Sequence, residues 1–301
     1  MGNKEHGHSH GTHDHHGSVK NLKVAFLLNA VFVSVEIAGG IITNSMAIIS
    51  DAVHDFGDSV SLGLSWYLEK FSGKKGDHKF TYGYKRLSII GALLNALVLL
   101  FGTAFVIYKA IPRLIRPEQV HPAGMMALAV IGIIINGLAV LRVKRGKKLV
   151  ERVVFLHLLE DVMGWAAVLI VSIVMIFIDL PILDPILSLI ISVYVIKNVI
   201  GGLRKIVKML LQGVPDGFSV GETKKYILSN NPDVLEVHDV KAWSLDGVEN
   251  VLTFHMSVKD DLTIAQVTEL KRIIKAQLKK RDMKHITIEV ENLNNCSDRI
   301  E

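Results

Sequence analysis

The chain has 301 residues, 50% of them hydrophobic, and its mean hydropathy of +0.38 is high for a soluble protein. The apolar residues crowd between about Leu22 and Val207, whereas the last third mixes charged and apolar residues as a soluble domain does. The net charge of +5 does not indicate nucleic-acid binding, because the basic residues lie between apolar segments rather than in one patch. Cys296 is the single cysteine, which excludes an intrachain disulfide and is compatible with a reducing compartment.

Residues 1–18 are rich in histidine, glycine and serine, and they include no residues that could form a core. This composition predicts a disordered tail. Histidines separated by small residues can bind zinc or nickel loosely, and here they are His6, His8, His10, His13, His15 and His16. A purification tag is the alternative interpretation, but the irregular spacing and the interspersed aspartate argue against it.

Between residues 19 and 211, six apolar segments approach or exceed the ~20 residues that a helix needs to cross a bilayer. They are about Leu22–Ile42, Met46–Leu68, Leu87–Ala110, Ala123–Leu141, Val153–Ile178 and Ile182–Val199. No signal peptide is indicated, because the first segment is too long for a signal core and no small-residue cleavage site follows it. Very short links after the first and fifth segments predict two antiparallel hairpins. The pattern therefore predicts a polytopic α-helical membrane domain with six transmembrane helices.

The loops between these segments differ in charge. Two loops, after the second and fourth segments, are rich in basic residues, and the loops on the opposite side of the membrane have only Arg113 and Arg116, with Lys109 at the edge of its span. The basic residues of the two loops are Lys70, Lys74, Lys75, Lys79, Lys85, Arg86, Arg142, Lys144, Arg145, Lys147, Lys148 and Arg152. The positive-inside rule then predicts that both basic loops and both termini are cytoplasmic.

Ionisable side chains occur in the second and fifth segments, where lipid is expected. One aspartate near the middle of a spanning helix costs ~3 kcal/mol on insertion scales, so several aspartates require a reason. His54 and Asp58 are four residues apart, as are His157 and Asp161, so each pair lies on one helical face. Two such helices face to face would offer two imidazole nitrogens and two carboxylates, a tetrahedral set suited to Zn²⁺. The alternative is a buried polar network, or a water-filled vestibule, that binds no metal.

Further acidic residues lie within the predicted spans, among them Asp51, Asp55, Glu160 and Glu36. Asp51 is one turn from His54 on the same face, so it is a candidate for an outer or proton-relaying carboxylate. Asp55 and Glu160 point about a quarter turn or more away from these faces, and we expect them near span ends or in wet crevices. Glu36 is expected to form interhelical hydrogen bonds, with tuning of access to the site as the alternative.

Residues 212–301 change periodicity. Helices are predicted at Ser219–Ser229 and Ile264–Lys280, and strands at Val234–Trp243, Val251–Val258 and Ile286–Glu291. The order α-β-β-α-β predicts a small α+β, ferredoxin-like sandwich. Strand alternation puts His255 on the more polar face of the second strand, and it puts His285, Glu289 and Glu291 on one face of the last strand.

Several stretches resemble the cation diffusion facilitator family, specifically its zinc-transporting branch of the bacterial efflux type. They are NSMAIISDAVHDFGDS, FTYGYKRLSIIGALLNA, FLHLLEDVMG, DPILSLIIS, LLQGVPDG and VHDVKAWSLDG, and the likeness runs from about Lys20 to Glu291. The resemblance implies a homodimer in a bacterial inner membrane that exports cytoplasmic Zn²⁺ in exchange for protons. Alternating access around His54, Asp58, His157 and Asp161 is implied as well. His54 favours zinc, because manganese- or iron-selective members carry aspartate there.

The resemblance also implies that the C-terminal domain is cytoplasmic and metallochaperone-like, with a metal site of its own. Its implied ligands are His238, His255, His285, Glu291 and Cys296. The alternative for any of these histidines is a surface position with no ligand role. One departure from many animal relatives is that the basic loop between the fourth and fifth spans contains no histidine.

Three functions compete: a Zn²⁺/H⁺ exchanger, an intramembrane metal-dependent enzyme and a metal sensor without flux. Imidazole must be neutral to bind metal, so metal and protons compete for the same groups, as exchange requires. No Gly-rich phosphate loop ending in Lys-Ser/Thr occurs, which argues against ATP-driven transport. A metalloenzyme needs an open coordination position, and four protein ligands leave none. The prediction is therefore a transporter, not an enzyme, with Zn²⁺ as substrate and no organic cofactor.

Overall fold

A computed structural model of the chain describes residues 14–72, 76–143 and 149–292. These residues form two compact units. The first consists of the described parts of Met1–Phe71 and Gly91–Gly202, and the second of those of Ser72–Ile90 and Leu203–Glu301. The second unit therefore includes the segment between the second and third helices as well as the C-terminal domain.

Six long helices account for the predicted spans. They are α1 (Asp14–Thr43), α2 (Met46–Ser72), α3 (Leu87–Ile115), α4 (Pro122–Val143), α5 (Leu149–Phe177) and α6 (Leu183–Leu210). Most continue past the apolar stretch, because backbone hydrogen bonding within a helix does not depend on the surrounding lipid. α1 begins at Asp14, inside the segment 1–18 that the composition predicts to be disordered, and residues 1–13 lie outside the described ranges.

Within the described residues, every one of these helices except α2 contains a stretch that is long and apolar enough to cross a membrane. At 27 residues α2 is long enough too, but its aspartates Asp51, Asp55 and Asp58 make it more polar than the others. The protein is a multi-pass helical membrane protein, and its least apolar long helix, α2, carries the candidate ligands His54 and Asp58.

The start of α2 is held by a carboxylate from α6. The fully buried Asp184 accepts hydrogen bonds from Ser45 Oγ at 2.5 Å, Met46 N at 2.7 Å and Ala47 N at 3.2 Å. These donors include amides of the first turn of α2, which have no partner within the helix. The contact therefore satisfies the end of α2 and attaches it to α6.

α4 and α5 approach closely where Gly132 faces Trp165. A Cβ atom at Gly132 would collide with the indole carbons of Trp165. Trp165 is 1% exposed and belongs to a buried cluster with Ala129 and Val168. Small residues commonly allow such close contact between membrane helices, and here the glycine leaves room for the largest side chain of the cluster.

The C-terminal domain contains α7 (Val220–Asn230), β1 (Val234–Ser244), β2 (Asn250–Val258), α8 (Ile264–Lys279) and β3 (Met283–Asn292). The sheet has the order β1-β2-β3, in which β2 pairs antiparallel with β1 and parallel with β3. Its apolar face packs on the helices through the buried residues Ile227, Leu252, Phe254, Ile274 and Leu278. The predicted α-β-β-α-β order is confirmed.

The segment that precedes α3 is attached to this domain through Glu249. Lys85 forms an ion pair with one Glu249 oxygen, and Lys284 Nζ donates to the other at 2.9 Å. Hydrogen bonds from Lys85, which has the larger effect, and from Lys284 lower the pKa of Glu249 from 4.5 to about 2. One carboxylate therefore joins the segment to β3.

We expect Gly132→Ala to destabilise the membrane unit, because its methyl group must displace the Trp165 indole. Overpacking of this kind costs about 1–3 kcal/mol. The measurement is the thermal unfolding midpoint of the full-length protein in detergent. Gly137→Ala in the same helix is the control, because nothing lies within 4 Å of a Cβ there. Equal midpoints for the two variants would contradict the close contact.

Glu249 should stabilise the protein in a pH-dependent way. Its pKa is lowered on folding, so its contribution is fully present above about pH 4.5 and is lost as the pH falls towards about 2. We expect Glu249→Gln to lower the melting temperature at pH 7 and to lower it much less at pH 3. Glu269→Gln, which removes an exposed pair with Arg272 on α8, is the control. A Glu249→Gln deficit of the same size at both pH values would refute the ion-pair assignment.

Candidate metal centre

Two helices of the membrane unit bring a carboxylate and two imidazoles together. His54 and Asp58 lie one turn apart on α2, with 3.9 Å between His54 Nε2 and Asp58 Oδ2. His157 of α5 approaches from the other side and puts its Nε2 3.0 Å from the same Asp58 oxygen. One donor atom from each residue lies within 4.8 Å of the others. Asp58 is therefore the point at which the two helices converge.

Asp161 does not join this group. It lies in a second group with His54 and Asp55, again with one atom from each within 4.8 Å of the others. His54 belongs to both groups, so the predicted four residues are linked through one imidazole rather than arranged as one compact set. Helical spacing identifies the face of each pair, but it does not give the rotation of α5 against α2.

Asp55 is the residue of this cluster that the sequence pattern does not select. Its position next to His54 turns it about 100° around the helix, and we expected a span end or a wet crevice. It is instead 6% exposed and lies beside His54 and Asp161. The available signal was its location within an apolar helix, where any carboxylate is costly.

The environment of His54 suits a ligand. Neither of its ring nitrogens has a hydrogen-bond partner among the described residues, although the side chain is largely buried. Buried polar atoms are normally paired, so two unpaired nitrogens in one ring mark His54 as a candidate ligand. The His157 side chain is 42% exposed and that of Asp58 is 28% exposed, so the described chain does not enclose either of them.

Two further carboxylates lie deeper in the same unit. Asp51 is 7% exposed and Glu36 is 1% exposed. A Cβ atom at Gly164 of α5 would lie 3.4 Å from Asp51 Oδ1, so α5 passes close to this carboxylate. The role of Asp51 as an outer or proton-relaying carboxylate stays a prediction. Glu160 is half-buried and belongs to neither group.

The C-terminal domain has a separate cluster of candidate ligands. His238 and His255 are paired across β1 and β2, and both contact Glu291 of β3. His238 Nε2 lies 3.2 Å from Glu291 Oε2, and His255 Nδ1 lies 2.7 Å from Glu291 Oε1. Two imidazoles and a carboxylate are ligands that zinc accepts. Three of the five predicted residues therefore lie together.

Two acidic residues that were not predicted as ligands border this cluster. His255 Nε2 lies 3.5 Å from Asp239 Oδ2 and 3.4 Å from Glu289 Oε2. Asp239 has a positive φ of 46° at the irregularity in β1 between His238 and Lys241. A bulge of this kind redirects a side chain, and it has no clear signature in the sequence. The hydrogen bond from Lys241 lowers the pKa of Asp239.

His285 lies elsewhere. It shares a strand face with Glu291 but is six residues away, which is about 20 Å along an extended strand. Its Nε2 is 3.5 Å from Glu249 Oε2, and its ring packs edge-on against Tyr82, with 5.3 Å between centroids. Cys296 lies outside the described residues, as do His6, His8, His10 and His13; for His15 and His16 only the helical backbone is described.

A multi-pass helical protein with imidazoles and carboxylates converging between two of its helices belongs to the class of membrane metal-ion transporters. The comparison with known families agrees. Residues 22–211 match the cation efflux transmembrane domain, and residues 215–293 match the cation efflux protein cytoplasmic domain. The chain belongs to the cation efflux family: it is a cation efflux transporter and not an enzyme.

Three relatives illustrate the similarity. The "Cadmium, cobalt and zinc/H(+)-K(+) antiporter" of Bacillus subtilis is 29% identical over 93% of this chain and 91% of its own length. The "Zinc transporter ZitB" of Pectobacterium atrosepticum is 31% identical over 97% of this chain and 90% of its own. The "Metal cation efflux system protein CzcD" of Cupriavidus metallidurans is 33% identical over 95% and 90% respectively.

Proposed function

We propose that this protein exports Zn²⁺ from the cytoplasm in exchange for protons, by alternating access around His54, Asp58, His157 and Asp161. It would act as a homodimer in a bacterial inner membrane with both termini in the cytoplasm. The observation that carries the proposal is the convergence of His54, Asp58 and His157 from α2 and α5. Six basic residues in each of two loops support the orientation.

The donor set favours zinc. Nitrogen and carboxylate oxygen together suit Zn²⁺, whereas magnesium and calcium prefer sites made of oxygen alone. Relatives along nearly the whole chain carry zinc in their names, together with cadmium and cobalt in one case. Cadmium, cobalt and nickel remain compatible with the same ligands, since affinity alone does not separate these divalent ions.

Proton exchange follows from the same ligands. Imidazole binds metal only when neutral, so loading His54 and His157 with zinc requires that they carry no proton on the bound nitrogen. When the ion leaves on the other side, these nitrogens and the carboxylates can accept protons. Protons returning down their gradient would then drive the next export step. The printed name of the Bacillus subtilis relative includes H⁺ as an exchanged ion.

The fourth ligand is a choice between two carboxylates. Asp161 is one helical turn from His157, whereas Asp55 and Asp161 share the group around His54. We assign the fourth position to Asp161, because a ligand on α5 would give each helix one imidazole and one carboxylate. Asp55 would then be the neighbour that holds His54 in place, as partners of metal-bound histidines commonly do.

The cluster of His238, His255 and Glu291 is proposed as a second zinc site that regulates or stabilises the dimer rather than carrying the transported ion. Its side chains are 11%, 17% and 17% exposed, so they are enclosed within the C-terminal domain. An enclosed site exchanges its ion slowly, which suits a stabilising or sensing ion. The match to the cation efflux cytoplasmic domain supports this assignment of the site to the cytoplasmic side.

Zinc uptake into sealed liposomes with an acidic interior tests the transport proposal. We expect the wild type to take up zinc only while the pH gradient lasts. Asp58→Asn and Asp161→Asn each remove a charged ligand without changing side-chain size, and each should lower the initial rate by at least about 100-fold, the effect of losing about 3 kcal/mol when one partner of a buried charged pair is removed.

Glu160→Gln is the matched control, since it removes the acid next to Asp161 on the same helix and should leave the rate within about twofold. Flux that ignores the pH gradient would indicate a channel, and no flux in the wild type would favour a sensor. Full activity in Asp58→Asn would refute the site. If Asp55→Asn loses zinc uptake and Asp161→Asn retains it, the fourth ligand is Asp55 rather than Asp161.

Zinc content at equilibrium tests the second site. In a protein that carries Asp58→Asn and lacks residues 2–13, the remaining tight zinc should belong to the C-terminal cluster. We expect His255→Ala to weaken this binding by at least about 10-fold, because a ligand is lost.

His285→Ala is the control on the same sheet, and it should leave the affinity unchanged because His285 lies beside Glu249. Equal losses in both variants would show that His285 reaches the cluster in solution. Unchanged binding in His255→Ala would refute the second site while leaving the transport proposal intact.

A further inference from the structure

The second unit contains a cavity of about 620 Å³ formed largely by the segment that precedes α3. Phe80, Tyr82 and Trp243 line it, and the first two are half-exposed side chains at 53% and 47%. Asp77 organises this segment by accepting hydrogen bonds from the amides of Lys79 and Phe80, at 2.8 and 2.7 Å. The cavity is thus walled by aromatic rings on a hydrogen-bonded turn, and neither candidate metal cluster contributes to it.

Basic residues line the same cavity. Lys85 is neutralised by Glu249. Lys79 and Arg86 also line the cavity, and neither has an ion-pair partner within the described part of the chain. Two uncompensated cations beside an apolar wall favour a ligand that combines negative charge with apolar surface.

The remaining wall is the start of a membrane-crossing helix. Leu87 and Ile90 line the cavity, and they are in the first turn of α3, whose apolar stretch is Leu87–Ile115. Ile90 is 47% exposed. Aromatic side chains next to lysine and arginine at the end of a spanning helix are the arrangement expected at the level of lipid headgroups. A water-soluble anion would use the cations but would leave Ile90 without an apolar partner.

We propose that this cavity binds an anionic phospholipid. Lys79 and Arg86 would bind the phosphate, while Leu87, Ile90 and the aromatic rings would contact the upper acyl chains. Basic pockets beside spanning helices are suited to acidic headgroups. Because Lys85 of the same segment is paired with Glu249, the lipid would bind a part of the chain that is attached to the C-terminal domain. Anionic lipid would therefore stabilise this attachment.

Lipid retention by the full-length protein in detergent tests the proposal. The protein is mixed with equal amounts of phosphatidylglycerol and phosphatidylcholine that carry the same acyl chains, and the tightest-held lipid is counted by native mass spectrometry. We expect phosphatidylglycerol to be preferred by about 30-fold, the effect of two basic side chains near a headgroup. Lys79→Gln combined with Arg86→Gln should abolish the preference.

The matched control is Lys279→Gln combined with Lys280→Gln, exposed lysines at the end of α8 that do not line the cavity; it should keep the preference. In wild-type protein, a photoreactive phosphatidylglycerol should crosslink to peptides containing Phe80, Tyr82 or Trp243, a readout that does not depend on the variants folding. Crosslinks elsewhere, or an unchanged preference in Lys79→Gln/Arg86→Gln, would overturn the proposal. So would displacement of the lipid by millimolar glycerol phosphate, which would indicate a soluble anion, or lipid-independent crosslinking of two chains through the cavity.

Discussion

The main constraint on the membrane unit is the cost of ionisable side chains in helices that face lipid. Each aspartate near the middle of a span costs ~3 kcal/mol on insertion scales, and α2 alone carries Asp51, Asp55 and Asp58. Such a helix inserts stably only if its polar side chains have partners away from lipid. The contacts of Asp58 with His54 and His157 provide part of this compensation. A dication between them would provide more, because it would neutralise the carboxylates and pair the unbonded nitrogens of His54.

Other contacts in the unit position these groups. Asp184 of α6 binds the first turn of α2, which sets where the helix starts. On α5, Gly164 allows that helix to pass close to Asp51, and Trp165, next to it in sequence, fills the space left by Gly132 of α4. Consecutive residues of α5 therefore fix its distance from two neighbouring helices. His157 and Asp161 precede these contacts by one to two turns, so the packing of Trp165 bears directly on where these two side chains point.

The sequence was sufficient to predict whatever depends on periodicity. Hydropathy located six helices, and helical spacing put His54 on the same face as Asp58. Strand alternation located the β-strands of the C-terminal domain to within a few residues. Periodicity could not give the rotation of one helix against another. The place of Asp161 beside Asp55, in a group without Asp58 and His157, was therefore not predicted. His285 was implied as a ligand by the family resemblance, although six residues along one strand already separate it from Glu291 by about 20 Å. The bulge at Asp239 depends on local backbone geometry.

The two clusters differ in how accessible their ligands are, and this difference bears on their roles. In the membrane unit, His157 is 42% exposed and its contact partner Asp58 is 28% exposed. In the C-terminal domain, the histidines are 11% and 17% exposed and are held from two sides by one carboxylate. A transported ion must enter and leave on every cycle, so its ligands need a route to water and cannot hold the ion too firmly. An ion that stabilises a fold needs the opposite. Under the proposed function, the more exposed cluster would therefore carry the transported ion and the enclosed cluster would retain its own.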